Sequence, residues 1–121
     1  MTYIKSYKEL IVWQKSRELV KEVFVLTSKF HKSETYGIIS QMRRAAVAIP
    51  SNIAEGYGRK SIKSYTQFYA IAYGSALELE TQLILSKDLN LAKLEDFKKA
   101  DELLTEVCKM LNSMITKMKK L

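Results

Sequence analysis

Five cations fall in two short runs that could hold a polyanion. Arg43 and Arg44 are adjacent, and Arg59, Lys60 and Lys63 lie close together with Tyr57 and Tyr65 interleaved. Guanidinium and ammonium groups neutralise phosphates while aromatic rings stack on unpaired bases, so this mixture suits an RNA strand. A structural reading stands beside it. Arg59 and Lys60 also suit the negative C-terminal end of a helix, and Tyr65 and Tyr69 share a stripe that packing alone explains. Catalytic chemistry has less to draw on. His31 and Cys108 are the only histidine and the only cysteine, whereas a zinc site of soft ligands uses about three or four. Neither is placed beside a partner that would make it a nucleophile or a base, and Cys108 lies beside a core stripe. Di-iron bundles carry Glu-x-x-His on two helices, a motif the chain lacks. Glu78 and Glu80, two apart, point in different directions on a helix. Gly56-Tyr57-Gly58 is too short for a phosphate loop and lacks its Gly-Lys-Ser ending. These residues predict no catalytic site, no metal and no cofactor.

Length and composition bound what must position the cations. At 121 residues, with 47% hydrophobic, the chain fits one domain spanning residues 1–121 and can bury a core unaided. Four Gly and one Pro favour long helices over many turns. The N-terminal stretch has no continuous apolar run of the signal-peptide kind, and no window approaches the roughly 18 apolar residues of a membrane span. A cytoplasmic protein without membrane contact is expected. The net charge is +7, with a pI near 9.5, a balance that serves polyanion binding or plain solubility. Residues 66–92 alone are net acidic and could face a basic neighbour, including a second copy of the chain.

Hydrophobic spacing predicts four helices. Val12, Ser16, Leu19, Val23, Leu26 and Phe30 recur at steps of three and four from about Tyr7 to Phe30. Ser33 follows as an N-cap, and a second helix carries Ile39, Met42, Ala46, Ile49 and Ile53. Pro50 interrupts it by removing a donor and crowding the carbonyl of Ala46. The helix either stops near Ile49 or kinks and continues. The stripe stays in phase to Ile53, which favours the kink, with Ser51 and Asn52 placed to bond the freed groups. Gly56–Gly58 would end this helix in a left-handed cap. Ser61 caps a third helix bearing Tyr65, Tyr69, Ala72, Ala76, Leu79 and Leu83, in which Gly74 suggests close helix contact. A fourth runs from about Leu94 to Lys119 on Leu104, Val107, Leu111, Met114 and Met118. Short connections predict an all-α, up-down-up-down antiparallel four-helix bundle with helix two kinked at Pro50. Surplus apolar residues, among them Ile11, Trp13 and Val20 on helix one and Phe68, Tyr73 and Leu77 on helix three, predict a homo-oligomer.

The run from Gln41 to Gly56, QMRRAAVAIPSNIAEG, preceded by Tyr36-Gly37-Ile38, closely resembles the bacterial four-helix-bundle proteins encoded in intervening sequences of 23S ribosomal RNA genes. Leu10-Ile11-Val12-Trp13-Gln14 and Gly74-Ser75-Ala76-Leu77-Glu78-Leu79-Glu80 extend the resemblance over nearly the whole chain. Two departures stand out: His31 takes the place of the usual proline, and helix four carries no recognisable motif. The resemblance implies a ring-like homopentamer. The chain is also similar to accessory proteins of diversity-generating retroelements, which implies a reverse-transcriptase-like partner and nucleic acid. Pro50, Ser51, Asn52, Glu55, Gly56 and Gly74 belong to the shared motifs. Packing offers a second account of them: Asn52 and Glu55 would satisfy each other or a neighbouring helix, and Arg43 and Arg44 would pair with Glu78, Glu80 or an adjacent subunit.

Overall fold

A helix with one apolar stripe must cover it, and in this chain four such stripes cover one another. The computed structural model describes residues 5–121. Its helices are α1 (Ile11–Thr27), α2 (Ser40–Tyr57), α3 (Ile62–Asp88) and α4 (Lys98–Lys119). None of them is long and apolar enough to cross a membrane. Contacts between them fix their directions. Arg43, early in α2, reaches Thr27 at the end of α1. Ser86, late in α3, lies 3.4 Å from Met42 Sδ, early in α2. Lys87, late in α3, pairs with Asp101, early in α4, at 2.6 Å. Lys29, just past α1, pairs with Asp96, just before α4, at 3.0 Å. Each helix therefore runs antiparallel to the neighbours it touches, in the predicted up-down-up-down order.

The core is built from the stripes that the spacing predicts. Leu19, Val23, Met42, Ala46, Ile49, Ile53, Tyr69, Ala72, Ala76, Leu79 and Val107 are fully buried. Two differences stand out. In α4, Ile115 is buried where Met118 was expected, and Met114 and Met118 are half-buried flanks. Phe97, outside every predicted stripe, is wholly buried in a short 3-10 turn (Leu94–Phe97) ahead of α4, 6.3 Å from the Phe30 ring.

The connections also differ from expectation. Leu10 is extended, so α1 starts at Ile11, after a separate 3-10 turn (Tyr7–Glu9) capped by Ser6. Ser33 is not the cap before helix two. His31 instead caps a 3-10 turn (Lys32–Glu34), its Nδ1 accepting from the Ser33 amide at 3.1 Å, and a further turn (Thr35–Ile39) leads into α2, which has no side-chain cap. The His31 side chain supplies an acceptor that a proline at the same place could not.

α2 runs unbroken through Pro50. Ser51 Oγ donates to the Val47 carbonyl and Asn52 Nδ2 to that of Ala48, both at 2.8 Å, directly after the carbonyl the proline leaves without its helical donor. Glu55 is exposed and pairs with Arg59 at 3.6 Å, not with Asn52. No left-handed glycine ends α2, since Gly58 is right-handed (φ −77°). The left-handed residue is Asn90 (φ 54°), which ends α3 with Leu91 N–H bonded back to the Ser86 carbonyl at 3.0 Å. Ser61 caps α3 as expected, its Oγ accepting from Ser64 N–H at 3.2 Å.

The two motif glycines do different work. A Cβ on Gly56 would lie 2.8 Å from two Tyr69 ring atoms and 3.1 Å from Phe68 Cβ, so this residue sets the close approach of α2 to α3. Around Gly74 nothing lies within 4 Å, which corrects the expectation that it admits a neighbouring helix of the same chain. Gly56→Ala should cost about 1–3 kcal/mol through overpacking. Gly74→Ala should add up to about 1 kcal/mol through helix propensity. Thermal melts of the two variants would show shifts of opposite sign. An unchanged melting temperature for Gly56→Ala would show that Tyr69 moves aside at no cost.

Candidate nucleic-acid interface

The antiparallel order brings the start of α1, the end of α2, the start of α3 and the end of α4 to one end of the bundle. Leu10, Ile11 and Val12 share a groove with Met110, Ser113 and Met114, and Tyr7 and Trp13 share one with Pro50 and Ala54. Arg59 and Lys60 occupy the α2–α3 turn, and Lys63 the first turn of α3. Lys5 and Lys8 join them from the chain start, and Lys117, Lys119 and Lys120 from the end of α4. All eight are exposed. Only Glu9 and Glu55 oppose them, so six of the seven excess charges sit at this end. At the opposite end, Lys29, Lys32, Lys87, Lys93, Lys98 and Lys99 are balanced by Glu34, Asp88, Glu95, Asp96, Asp101 and Glu102. There Asp96 accepts from Lys29, which holds its carboxyl below the usual carboxylate range.

The predicted site residues divide between two places. Arg59 packs over the Phe68 ring at 4.3 Å while pairing with Glu55. Lys60 and Lys63 make no ion pair among the described residues. Both flank the N-terminus of α3, where the helix dipole disfavours cations. Helix stability therefore does not account for them. Tyr65 lies half-buried beneath, its ring tilted against that of Tyr69 with centres 4.4 Å apart, and its hydroxyl accepts from the Tyr69 hydroxyl at 3.0 Å. Burial and this hydrogen bond push the Tyr69 hydroxyl far above its ordinary pKa, so Tyr69 is a core residue.

Arg43 and Arg44 stand apart from this cluster. Thirteen residues of helix separate Arg44 from Tyr57, about 20 Å at 1.5 Å per residue. Arg43 is half-buried: its Nε donates to Thr27 Oγ1 at 2.9 Å, and its guanidinium lies 4.5 Å from the Phe24 ring centre. Arg44, one residue on, is exposed and makes no ion pair among the described residues. The pairing of either arginine with Glu78 or Glu80 does not occur within the chain.

Sequence reasoning missed Lys5, Lys8 and the α4 lysines, because they meet Lys60 only through topology. Trp13, counted among the surplus apolar residues of helix one, is half-buried, with Arg17 5.7 Å from its ring centre. Other reactive groups serve structure. Burial, then the charge of Glu80, pushes the Cys108 thiol up, so it stays protonated at neutral pH. Among the described residues no three His, Cys, Asp or Glu side chains gather where they could hold a metal.

The model of the 23S rRNA-intervening sequence protein family matches residues 8–113. No curated protein matches the chain. The fold is similar to a crystal structure of a protein of unknown function from the S23 ribosomal protein family of Bacteroides thetaiotaomicron. The TM-score is 0.78 at 23% identity, covering 87% of this chain and 98% of that one.

Proposed function

The chain belongs to the 23S rRNA-intervening sequence protein family, and from that premise we propose that it is a non-enzymatic, homo-oligomeric bundle that binds structured RNA, or an RNA–protein complex, in the cytoplasm. The observation that carries this reading is the concentration of exposed cations at one end, facing a balanced far end. A polyanion is the partner such a field favours. Lys60 and Lys63 supply ammonium groups that make no ion pair among the described residues, and Arg59 a guanidinium already fixed over Phe68. Arg44 offers a separate contact about 20 Å along α2, and Arg43 a partly buried one. The test is affinity for a structured 23S rRNA fragment and an unrelated RNA across a salt series. A steep fall of affinity with salt supports the reading. Absent binding would return the basic residues to a protein-scaffold role, with a reverse-transcriptase-like protein among the partners to try.

Self-association has its own support. Ile71, Leu77, Ile84 and Leu85 are each 41–53% exposed along the outer side of α3, with Gly74 open among them. A helix apolar on more than one side needs a second cover, and another copy of the chain supplies it. Leu77→Glu with Ile84→Glu should lower the assembled mass in sedimentation without unfolding the chain. Retention of the full mass would exclude this face as the subunit contact. The number of subunits that the resemblance implies, five, is read from the same experiment on the unmodified protein.

A further inference from the structure

A second surface, the outer seam between α1 and α2, joins cations to partly exposed rings. The Tyr7 ring meets Trp13 edge-on at 5.2 Å, and Arg17 lies 5.7 Å from the Trp13 centre. One turn further, Lys21 and Phe24 join Trp13 and Arg17 in an open cleft of about 1070 Å³ along the outer side of α1, beside the seam. Arg43 crosses from α2 to lie 4.5 Å from Phe24. Val20, Val47, Pro50 and Ala54 form the apolar floor. Phe24 is 39% exposed and Val47 43%, so the chain's own packing leaves them partly open. Eleven residues of α1 separate Trp13 from Phe24, about 16 Å.

Charge decides what covers this seam. Lys8, Arg17, Lys21 and Arg43 face it against one carboxylate, Glu18. The same face of a second copy seated here would oppose like charges, whereas a nucleic-acid strand brings phosphates for the cations and flat bases for the rings. Arg43 is also held in place by Thr27 through its Nε, and its terminal amino groups carry no ion pair among the described residues. We propose that the α1–α2 seam binds single-stranded RNA, with bases against Trp13 and Phe24 and phosphates on Arg17, Lys21 and Arg43. The inference deepens the RNA reading and rests on it, assigning unpaired nucleotides to a side face that continues from the cationic end past Lys8 and Trp13.

Trp13 is the only tryptophan, so its fluorescence reports the seam directly. The full chain would be titrated with an oligouridylate and with heparin, a polyanion without bases. Binding of labelled oligouridylate would be followed in parallel by anisotropy. Saturable quenching by oligouridylate and not by heparin is expected. Phe24→Ala should weaken binding about fivefold or more, the ordinary loss for one stacked base, and Arg17→Glu with Lys21→Glu should weaken it further while the circular dichroism stays helical. Oligouridylate that binds without quenching, and is released only by Lys60→Glu with Lys63→Glu, would overturn the seam and leave the cationic end standing. Equal quenching by heparin would overturn base stacking. No binding of either oligouridylate or structured RNA would sink both readings together.

Discussion

Phe97→Ala should destabilise the bundle by about 3–5 kcal/mol, the usual range for removing a buried phenylalanine. The ring is wholly buried, tilted against Phe30 at 6.3 Å, with Lys87 Nζ 5.5 Å from its centre. These contacts join the end of α1, the end of α3 and the start of α4, so the cavity would open where three helices meet. Collapse into it is hindered by Lys29–Asp96 and Lys87–Asp101, which hold the same turn from outside. Total stabilities of small domains lie near 5–15 kcal/mol, so the loss is a large share of the whole. Chemical denaturation is the measurement. A loss below about 1 kcal/mol would mean that Phe30 and Ala100 close over the space. Phe97→Leu should cost less, since more of the volume stays filled.

Phe97 also marks where reading the sequence stops working. The stripes of α1, α2 and α3 were legible because each is a long, regular run whose period of three and four follows from helix geometry. Phe97 keeps the same steps, seven residues before Leu104 with the buried Ala100 between, but it sits in a 3-10 turn ahead of α4, where a stripe read from Leu104 onward does not reach. The capping role of His31 was hidden for a related reason. Its Nδ1 finds the Ser33 amide only once the chain has turned, and Ser33 looks like the better cap in isolation. Gly56 and Gly74 look alike as letters, and only the distance to Tyr69 separates them. The candidate site was half legible. Arg59, Lys60 and Lys63 are neighbours in the chain and stay neighbours in space. The excess charge to which they belong is assembled from both ends of the sequence by the antiparallel order, and no local pattern carries that information.

Lys60→Glu with Lys63→Glu should weaken binding to structured RNA by roughly 60-fold or more at 0.1 M salt. A phosphate contact that releases one counterion contributes a salt slope of about 0.9, or a factor of roughly 8 at 0.1 M against 1 M. Two lost contacts multiply to the stated figure, and the added carboxylates repel phosphates beyond it. The slope of log affinity against log salt should also fall by nearly 2. Folding should not suffer. Both lysines stand at the positive end of the α3 dipole, where glutamate is the better residue by about 0.3–1 kcal/mol. The control is Lys98→Glu with Lys99→Glu at the balanced end, which changes net charge equally. The 27 residues of α3 span about 40 Å, some four screening lengths at 0.1 M, so a field from that end does not reach the cationic one. Equal losses from both variants would mean that only total charge matters and that no end is special. Loss from Lys60 and Lys63 alone, with assembly intact, would locate the contact. Loss of assembly in that variant with RNA affinity unchanged would instead assign these lysines to subunit pairing, and the cationic end would then be an interface between copies of the chain.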